Sequence, residues 1–384
     1  MSQEPISSQS AGSARSVQYE MNIAMCRPCE LGADELEGWR SIQAMDVSFD
    51  NPFLTPEFTL AAGQARENVR VAVIEDDNKI VGFLPYEARR FGIGRAVGFG
   101  VSDLQGIVHH PDLDWSASEL LAKTGVDVFE FDHWLPGQTQ TKDVKAFMSP
   151  SAVMDLSNGY EAYMKEGERA SRRLVKSLKQ KRRKLEREHG EIVFSFDTPC
   201  EKTLELLMRF KSDQYRRTGR ADRFAKSWIR TLVNGLARQR GEGFSGVLSV
   251  MSVQDRPIAF HFGLRTADTL SLWFPSYDPE FQKYSPGLQM FLEIARVAPQ
   301  HGLKTLDLGK GEEEFKQSLK SYDRMVATGR IELPSAAAFL HRLHRAPVQG
   351  MEHFVLSHPR ARAAARKTLR HLGTVRNTMS SPKR

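Results

Sequence analysis

Cysteine is scarce in this chain: Cys26, Cys29 and Cys200 are the three among 384 residues, a usage that fits a reducing compartment and excludes a disulfide framework. Cys26-Arg27-Pro28-Cys29 has the C-x-x-C spacing, but a structural zinc needs four ligands and no second pair follows. Ordinary packing at the start of a domain is the expectation there, and no metal is expected. Also missing is any run of about 18 apolar residues, which excludes a membrane-spanning helix. The first residues, MSQEPISSQSAGSARSVQYE, are polar and lack the apolar core of a secretion signal, so residues 1–20 read as a disordered segment of a cytoplasmic protein. Acids are nearly absent from the C-terminus. From Ser335 onward ten basic residues face the single acid Glu352, a net +9 against +7 for the whole chain. The body is therefore not a basic protein; the positive charge is collected in a tail.

What is present is an ordinary soluble balance, 40% hydrophobic and 26% charged, in a chain long enough for two domains with proper cores. Two similar halves emerge from the periodicity. In the first, 31–45 and 56–67 read as helices, 69–75 and 79–90 as a hairpin turned at Asp76-Asp77-Asn78, 115–123 as a helix, and 126–132 and 152–156 as strands. In the second, 192–196 is a strand, 202–217 and 225–240 are helices, and 246–253, 257–265 and 269–277 form a three-strand meander. Between them, residues 159–190 form a charged helical connector in which Leu174, Leu178 and Leu185 mark a narrow seam for one packed face. Its arginines and lysines form either a solvated surface or an attractor for a phosphorylated or carboxylated substrate, a membrane headgroup or an RNA. No aromatic interleaving accompanies the run, so nucleic acid is not expected from this feature alone.

The most informative stretch is Tyr277 to Lys320. Ser285 suits an N-cap and Pro286 the first position of a helix whose Leu288, Phe291, Leu292, Ile294 and Ala295 recur at helical spacing. Gly302 ends it, Lys304 to Leu308 reads as a buried strand, and Gly309-Lys310-Gly311 turns into a short helix carrying Phe315 and Lys316. A strand, a helix N-terminus and a following strand make an anion pocket of the kind phosphates occupy.

Tyr284-Ser285-Pro286-Gly287-Leu288, then Leu306-Asp307-Leu308-Gly309-Lys310-Gly311, then Phe315-Lys316 resemble the acyl-CoA-dependent N-acetyltransferase (GNAT) superfamily. Within it the resemblance is to the branch of CelD-like polysaccharide-biosynthesis acetyltransferases and FemAB peptidyltransferases. A looser likeness runs through Asn51-Pro52-Phe53-Leu54-Thr55-Pro56-Glu57-Phe58, Val81-Gly82-Phe83-Leu84-Pro85 and Ser102-Asp103-Leu104-Gln105-Gly106, covering residues 21–333. It implies an α/β (α+β) fold of two GNAT-like domains, with mixed, mostly antiparallel sheets flanked by helices. The divisions are 21–158 for the first domain, 159–190 for the connecting helix, 191–334 for a second domain with the acyl-CoA site, and 335–384 for the tail.

The activity implied is acetyl or related acyl transfer from acyl-CoA to a small-molecule or glycan-linked acceptor in exopolysaccharide or cell-envelope synthesis. Two alternatives stand beside it: a FemAB-type transferase using aminoacyl-tRNA, and a non-catalytic scaffolding subunit of a polysaccharide assembly. The main-chain N–H groups of Gly287 and Leu288, behind Tyr284 and Ser285, are the expected pyrophosphate donors, although the usual GNAT loop of Gln or Arg followed by glycines is absent. For proton transfer His261, on the middle meander strand and facing away from Phe260, Phe262 and Leu264, is a candidate base. Asp307 and Lys316 match the FemAB-related pattern, which implies substrate contact near the transfer centre; a buried salt bridge or a capping Asp is the structural alternative. Trp273 and Tyr277, placed at i and i+4 of one strand, and Asp278 at its end are candidate substrate contacts. In the tail, residues 336–345 and 360–372 read as amphipathic helices, either a solubilising extension or an anchor that would hold the protein at the anionic inner face of a membrane.

Overall fold

The computed structural model describes residues 22–139, 144–166 and 169–343. The expected disordered segment 1–20 and the tail from 344 lie outside them. The first half runs β1 (Asn22–Cys26), α1 (Ala33–Met45), α2 (Pro56–Ala65), β2 (Val69–Asp76), β3 (Lys79–Ala88), β4 (Ile93–Ala96), β5 (Val108–His109), α3 (Ala117–Thr124), β6 (Val128–Trp134) and β7 (Val144–Asp155). Helices α4 (Tyr160–Glu166) and α5 (Arg169–His189) connect it to the second half. That half runs β8 (Ile192–Ser195), α6 (Glu201–Arg217), α7 (Ser227–Ala237), β9 (Ser245–Val253), β10 (Arg256–Arg265), β11 (Thr269–Tyr277), α8 (Pro286–Val297), β12 (Thr305–Lys310), α9 (Glu314–Leu319) and β13 (Tyr322–Glu332).

Local chemistry explains most boundaries. The β2–β3 hairpin turns on Asp77 and Asn78, both at positive φ, as a two-residue loop matched to strand twist requires. Thr55 caps α2 through Phe58 N at 3.2 Å, with Pro56 at its first position. Three features were not legible from periodicity. Edge strand β1 buries little, β4 is Ile-Gly-Arg-Ala without alternation, and β7 is twelve residues long although only its last turn of sequence reads as strand.

All strands except β5, which pairs with β3, follow one path: β1-β2-β3-β4-β6-β13-β7-β12-β11-β10-β9-β8. Each half lays down antiparallel strands, adds one parallel strand (β6 beside β4, β12 beside β11), and then sends its last strand into the other half. Thus β13 closes β6, and β7 closes β12. The two exchanged strands pair antiparallel from Val144 opposite Ile331 to Val153 opposite Tyr322. The two sheets implied by the resemblance are therefore one sheet.

Four apolar clusters cover it. One joins the halves: Phe53, Phe58, Ala61 and Val101 of the first pack with Leu232, Leu236, Phe262 and Trp273 of the second. A second lies under α8 and includes Leu185 of α5, with Leu174 packed against it; Leu178 is buried too, as the leucine seam requires. Smaller clusters sit under α3 and α1. No described helix is long and apolar enough to cross a membrane.

An edge-exposing sheet lacking a central strand pairs with whatever edge is available. Residues 22–158 and 159–384 produced separately should therefore aggregate or bind a hydrophobic dye, whereas co-expression should return a soluble complex. Two independently soluble fragments with cooperative melting would show that the exchanged strands do not hold the halves together.

Candidate functional site at the split between two parallel strands

β11 and β12 pair only from Thr269 opposite Thr305 to Ser271 opposite Asp307. Beyond that point β11 continues beside β10 to Tyr277, while β12 continues beside β7 to Lys310, so the two strands part. The divergence starts at a bulge. Between the pairs Phe262–Phe274 and Leu264–Ser271, β11 spends Leu272 and Trp273 against the single Gly263. Only glycine fits there: a Cβ would lie 2.4 Å from the Ser271 carbonyl oxygen and 2.6 Å from His261 Cε1. The bulge also interrupts face alternation. Trp273 packs with Phe53, Phe58, Phe262 and Phe274 and donates its indole N–H to the Val101 carbonyl at 2.6 Å, whereas Tyr277 lies on the α8 side beside Gly287. The i, i+4 expectation that these two rings share a face does not survive the bulge.

Loops of the first half enter the opening. The segment from Gly98 to Gly106 is clamped onto β6: Gln105 Oε1 accepts from the N–H groups of Asp132 and His133, its Nε2 donates to Asp132 Oδ1 at 2.6 Å, and Gly100 N–H donates to Asp132 Oδ2. This clamp fixes Asp103 beside Gly309, whose φ of +74° and missing Cβ let the carboxylate approach. From the second half come Lys211 on α6, Arg220 and Arg223 before α7, and Lys316 on α9.

The electrostatics follow from burial and crowding. Burial pushes the Asp103 carboxyl up to about 6, Asp307 adding to the rise while His133, Arg223 and Lys316 oppose it. Lys211 donates to the Pro275 carbonyl at 2.7 Å on diverging β11 and sits over the Tyr215 ring. Burial, reinforced by Arg220, Arg223 and Lys316, lowers its amine to about 7. Near neutral pH the opening thus holds a carboxylate able to accept a proton, an amine that is partly neutral, and fixed cations that favour developing negative charge.

Asp307 and Lys316 meet at one residue, Gly309, rather than at each other. Asp307 Oδ1 accepts from Gly309 N–H at 2.8 Å, and Lys316 Nζ donates to the carbonyls of Gly309 at 3.1 Å and Lys310 at 2.9 Å. The carboxylate of Asp307 is buried among Asn51 and Ser151 of the first half and Arg324 of β13, the last at 3.3 Å. Lys316 faces Glu313 at 3.5 Å.

The remaining candidates lie apart from this centre. His261 is fully buried on β10, edge-on to Phe291, with neither ring nitrogen partnered among the described residues. Burial, then Lys211, holds its pKa down to about 3, so the ring is neutral. Asp278 caps the turn after β11 through Glu280 N–H and pairs with Arg256 at 2.6 Å. Tyr284 is buried, its hydroxyl bonded to His189 Nε2 at 2.9 Å and to Glu188. Ser285 stands at the N-cap of α8, but in a left-handed conformation with φ +55° that turns its hydroxyl away from the helix. Instead Ser285 Oγ accepts from Lys181 Nζ of α5 at 2.8 Å. Leu288 N–H bonds back to the Ser285 carbonyl at 3.1 Å, and a Cβ on Gly287 would meet Tyr277 at an ordinary 3.4 Å. The start of α8 therefore offers Gly287 N–H and Lys181 to an anion. Cys26 and Cys29 are free thiols, and no described group of three or more His, Cys, Asp or Glu residues could hold a metal.

Asp103, Lys211, Arg220 and Arg223 are not among the residues singled out in the sequence. Asp103 had a signal, since it stands in the Ser102 to Gly106 stretch. Lys211 had none, because one lysine on the polar side of an amphipathic helix looks like any other.

Residues 171–317 match the profile of an acetyltransferase (GNAT) domain, from α5 through α9. No curated protein sequence matches the chain. Among solved structures, FemX superposes with a TM-score of 0.54 at 10% identity, over 80% of this chain and 98% of that one. The C-terminal domain of a protein described as a lysylphosphatidylglycerol synthetase, from Agrobacterium fabrum, gives 0.53 at 15% identity, over 82% and 96%. A conserved protein from Bacteroides thetaiotaomicron gives 0.51 at 12% identity, over 78% and 97%. These likenesses are likenesses of fold.

The burial of His261 has a measurable consequence. Its folded pKa of about 3 lies below the unfolded value of 6.5, so the unfolded chain takes up the proton first; stability is complete above pH 6.5 and declines as pH falls toward 3. At pH 5 the loss should be about 2 kcal/mol. Urea melts at pH 5 and pH 7.5 should show that difference shrinking in His261→Leu, and an unchanged difference would assign the titration to other groups.

Proposed function

We propose that this acyltransferase, with its GNAT domain over residues 171–317, moves an acetyl or related acyl group from acyl-CoA to an amine or hydroxyl of a small-molecule or glycan-linked acceptor. The observation that carries the reading is the β11–β12 opening with Asp103, Lys211 and Lys316 around it. A thioester supplies an activated acyl carbon; the chain must then orient the acceptor, remove its proton and stabilise the oxyanion. Asp103, ionised above about pH 6, is the proposed proton acceptor. A base of pKa about 3 has too little proton affinity for that role at neutral pH, so His261 is assigned to shaping the bulge instead. Lys316 and Lys211 are the proposed cations beside the oxyanion, with Asp307 positioning Gly309, whose carbonyl accepts from Lys316. Lys181, Ser285 and Gly287 N–H suit a pyrophosphate at the start of α8, with Leu288 and Tyr284 as its support. Tyr277, beside Gly287, remains a proposed wall of the site, whereas Trp273 is assigned to the core and Asp278 to its pair with Arg256.

The exposed face of α5 favours a second reading. Arg172, Arg173, Lys176, Lys179, Arg183, Lys184 and Arg187 are all exposed on the helix that reaches Ser285. A larger polyanionic donor such as aminoacyl-tRNA would find its phosphates met there, in line with the FemAB resemblance. The A. fabrum neighbour is named for aminoacylation of a phospholipid, which is compatible with either donor. Under both readings the setting proposed is exopolysaccharide or envelope synthesis in the cytoplasm, with the tail holding the enzyme at the membrane.

Thermal shift separates the donors. Acetyl-CoA should raise Tm in the wild type, and Gly287→Val should weaken that effect without lowering the Tm of the free protein. Stabilisation by aminoacyl-tRNA with none by acetyl-CoA would replace the first reading with the second.

For the chemistry, Asp103→Asn should cut kcat by about 100-fold or more and abolish the rise in rate through pH 6 that ionisation of Asp103 predicts. A variant with that rise intact would move the base elsewhere.

A further inference from the structure

A second charged cavity lies far along the sheet, in the first half. It has a volume of about 780 Å³ and is lined by Arg70 of β2, Arg89 and Arg90 of the β3–β4 turn, Arg95 of β4, Glu130 of β6 and His341 of the helical segment 336–343. Its floor is a cross-strand row of alternating charge, since Glu87 stands opposite Arg95, Arg95 opposite Glu130 and Glu130 opposite Arg330. The two acids nearest the cavity are already engaged. Glu87 takes Arg66 at 2.8 Å, while Glu130 takes Arg95 at 2.6 Å and faces His341 at 3.5 Å.

Three guanidinium groups therefore have no carboxylate within ion-pair distance among the described residues, although Glu30 acts on Arg70, and Glu87 and Glu130 act on Arg89, from farther away. Arg70 donates only to the main-chain carbonyls of Glu67 and Val69, and the side chains of Arg89 and Arg90 have no hydrogen-bond or ion-pair partner among the described residues. Their backbones are nonetheless fixed. Arg89 N–H closes the turn on the Ile93 carbonyl at 2.8 Å, and the Gly92 carbonyl accepts from both Asp127 and Val128. At the apex Phe91 is 82% exposed at φ +63°, a conformation uncommon for a bulky residue. Partial burial, then Arg95 and Arg66, draw the Arg89 pKa below the usual range, with Glu87 and Glu130 opposing. An anion between Arg89 and Arg95 would relieve their repulsion.

We propose that this cavity binds a phosphate group, independently of the acyl-transfer site. One carboxylate brings a single charge and two oxygens, too few for Arg70, Arg89 and Arg90 together. A phosphate ester or diphosphate brings about two charges and three or more acceptor oxygens, which planar guanidinium forks match. Such a group arrives either on a soluble metabolite or on an anionic phospholipid, and exposed Phe91 beside the arginines is where a bilayer would meet the protein.

The test uses the full chain and its R70A/R89A double variant, both positions lying outside the transfer centre. Titration calorimetry with inorganic pyrophosphate should show binding by the wild type that weakens at least tenfold in the variant, with Tm unchanged. Sedimentation with vesicles of phosphatidylglycerol and phosphatidylcholine in a 1:3 ratio distinguishes the sources. Loss of vesicle binding in both R70A/R89A and F91A, each retaining the tail, identifies a lipid phosphate; pyrophosphate binding with no change on vesicles identifies a soluble one. Wild-type protein that binds neither probe, or a double variant that binds both as the wild type does, overturns the site. If the double variant lacks a melting transition, the exposed Arg90→Ala is compared by the same measurements and read the same way.

Discussion

The antiparallel pairing of β7 with β13 is the contact on which the rest of the molecule depends. Each strand is the last of its half, and each sits where the other half needs it. Because β7 also pairs with β12, the strand that carries Asp307 is held on one side by the first half and on the other, through Thr269 to Ser271, by the second. Asp307 therefore collects Asn51 and Ser151 from one half and Arg324 from the exchanged strand. No single half could assemble this arrangement.

The same exchange explains why the transfer centre is polar yet held in place. Strands that diverge leave main-chain groups and space that must be filled, and here loops of the first half do so, with the Val101 carbonyl on Trp273 and the Asp103 carboxylate against Gly309. Burial of ionisable groups at this seam costs stability, and the charge pattern shows how the cost is limited. Asp103 holds its proton up to about 6 and Lys211 gives up its proton from about 7, so each group's full charge is reduced over part of the working range. Displaced pKa values of this kind are also what proton transfer near neutral pH requires.

Much of the second half was legible in the sequence because its signals are local. Helical spacing marks α8, Gly302 at φ +78° ends the 3-10 turn Ala298–His301 that continues it, and the alternation of Phe260, Phe262 and Leu264 against Ala259 and His261 assigns the faces of β10. The GNAT resemblance rested on Tyr284 to Lys316, and the domain profile covers that stretch. Where local rules misled, a neighbour had intervened. Ser285 caps nothing because Lys181 holds its hydroxyl, and Trp273 leaves the face of Tyr277 because Gly263 allows an extra residue opposite it.

The sequence by itself determined most element types, the duplicated order of strands and helices, and the basic connector with its leucine seam, and its GNAT resemblance implied the acyltransferase class. The elements, their order and the connector follow from side-chain period and turn chemistry, which are properties of neighbours along the chain; the class follows from the resemblance of motifs. Tertiary structure alone decided that two sheets are one, that Asp103 and Lys211 face the same opening from positions more than a hundred residues apart, and that three arginines of the first half have no carboxylate within ion-pair distance among the described residues. The physical reason is the same in each case. Strand partners, burial and charge balance depend on residues distant in sequence, and a pKa or an unpaired guanidinium exists only once those residues have been brought into contact.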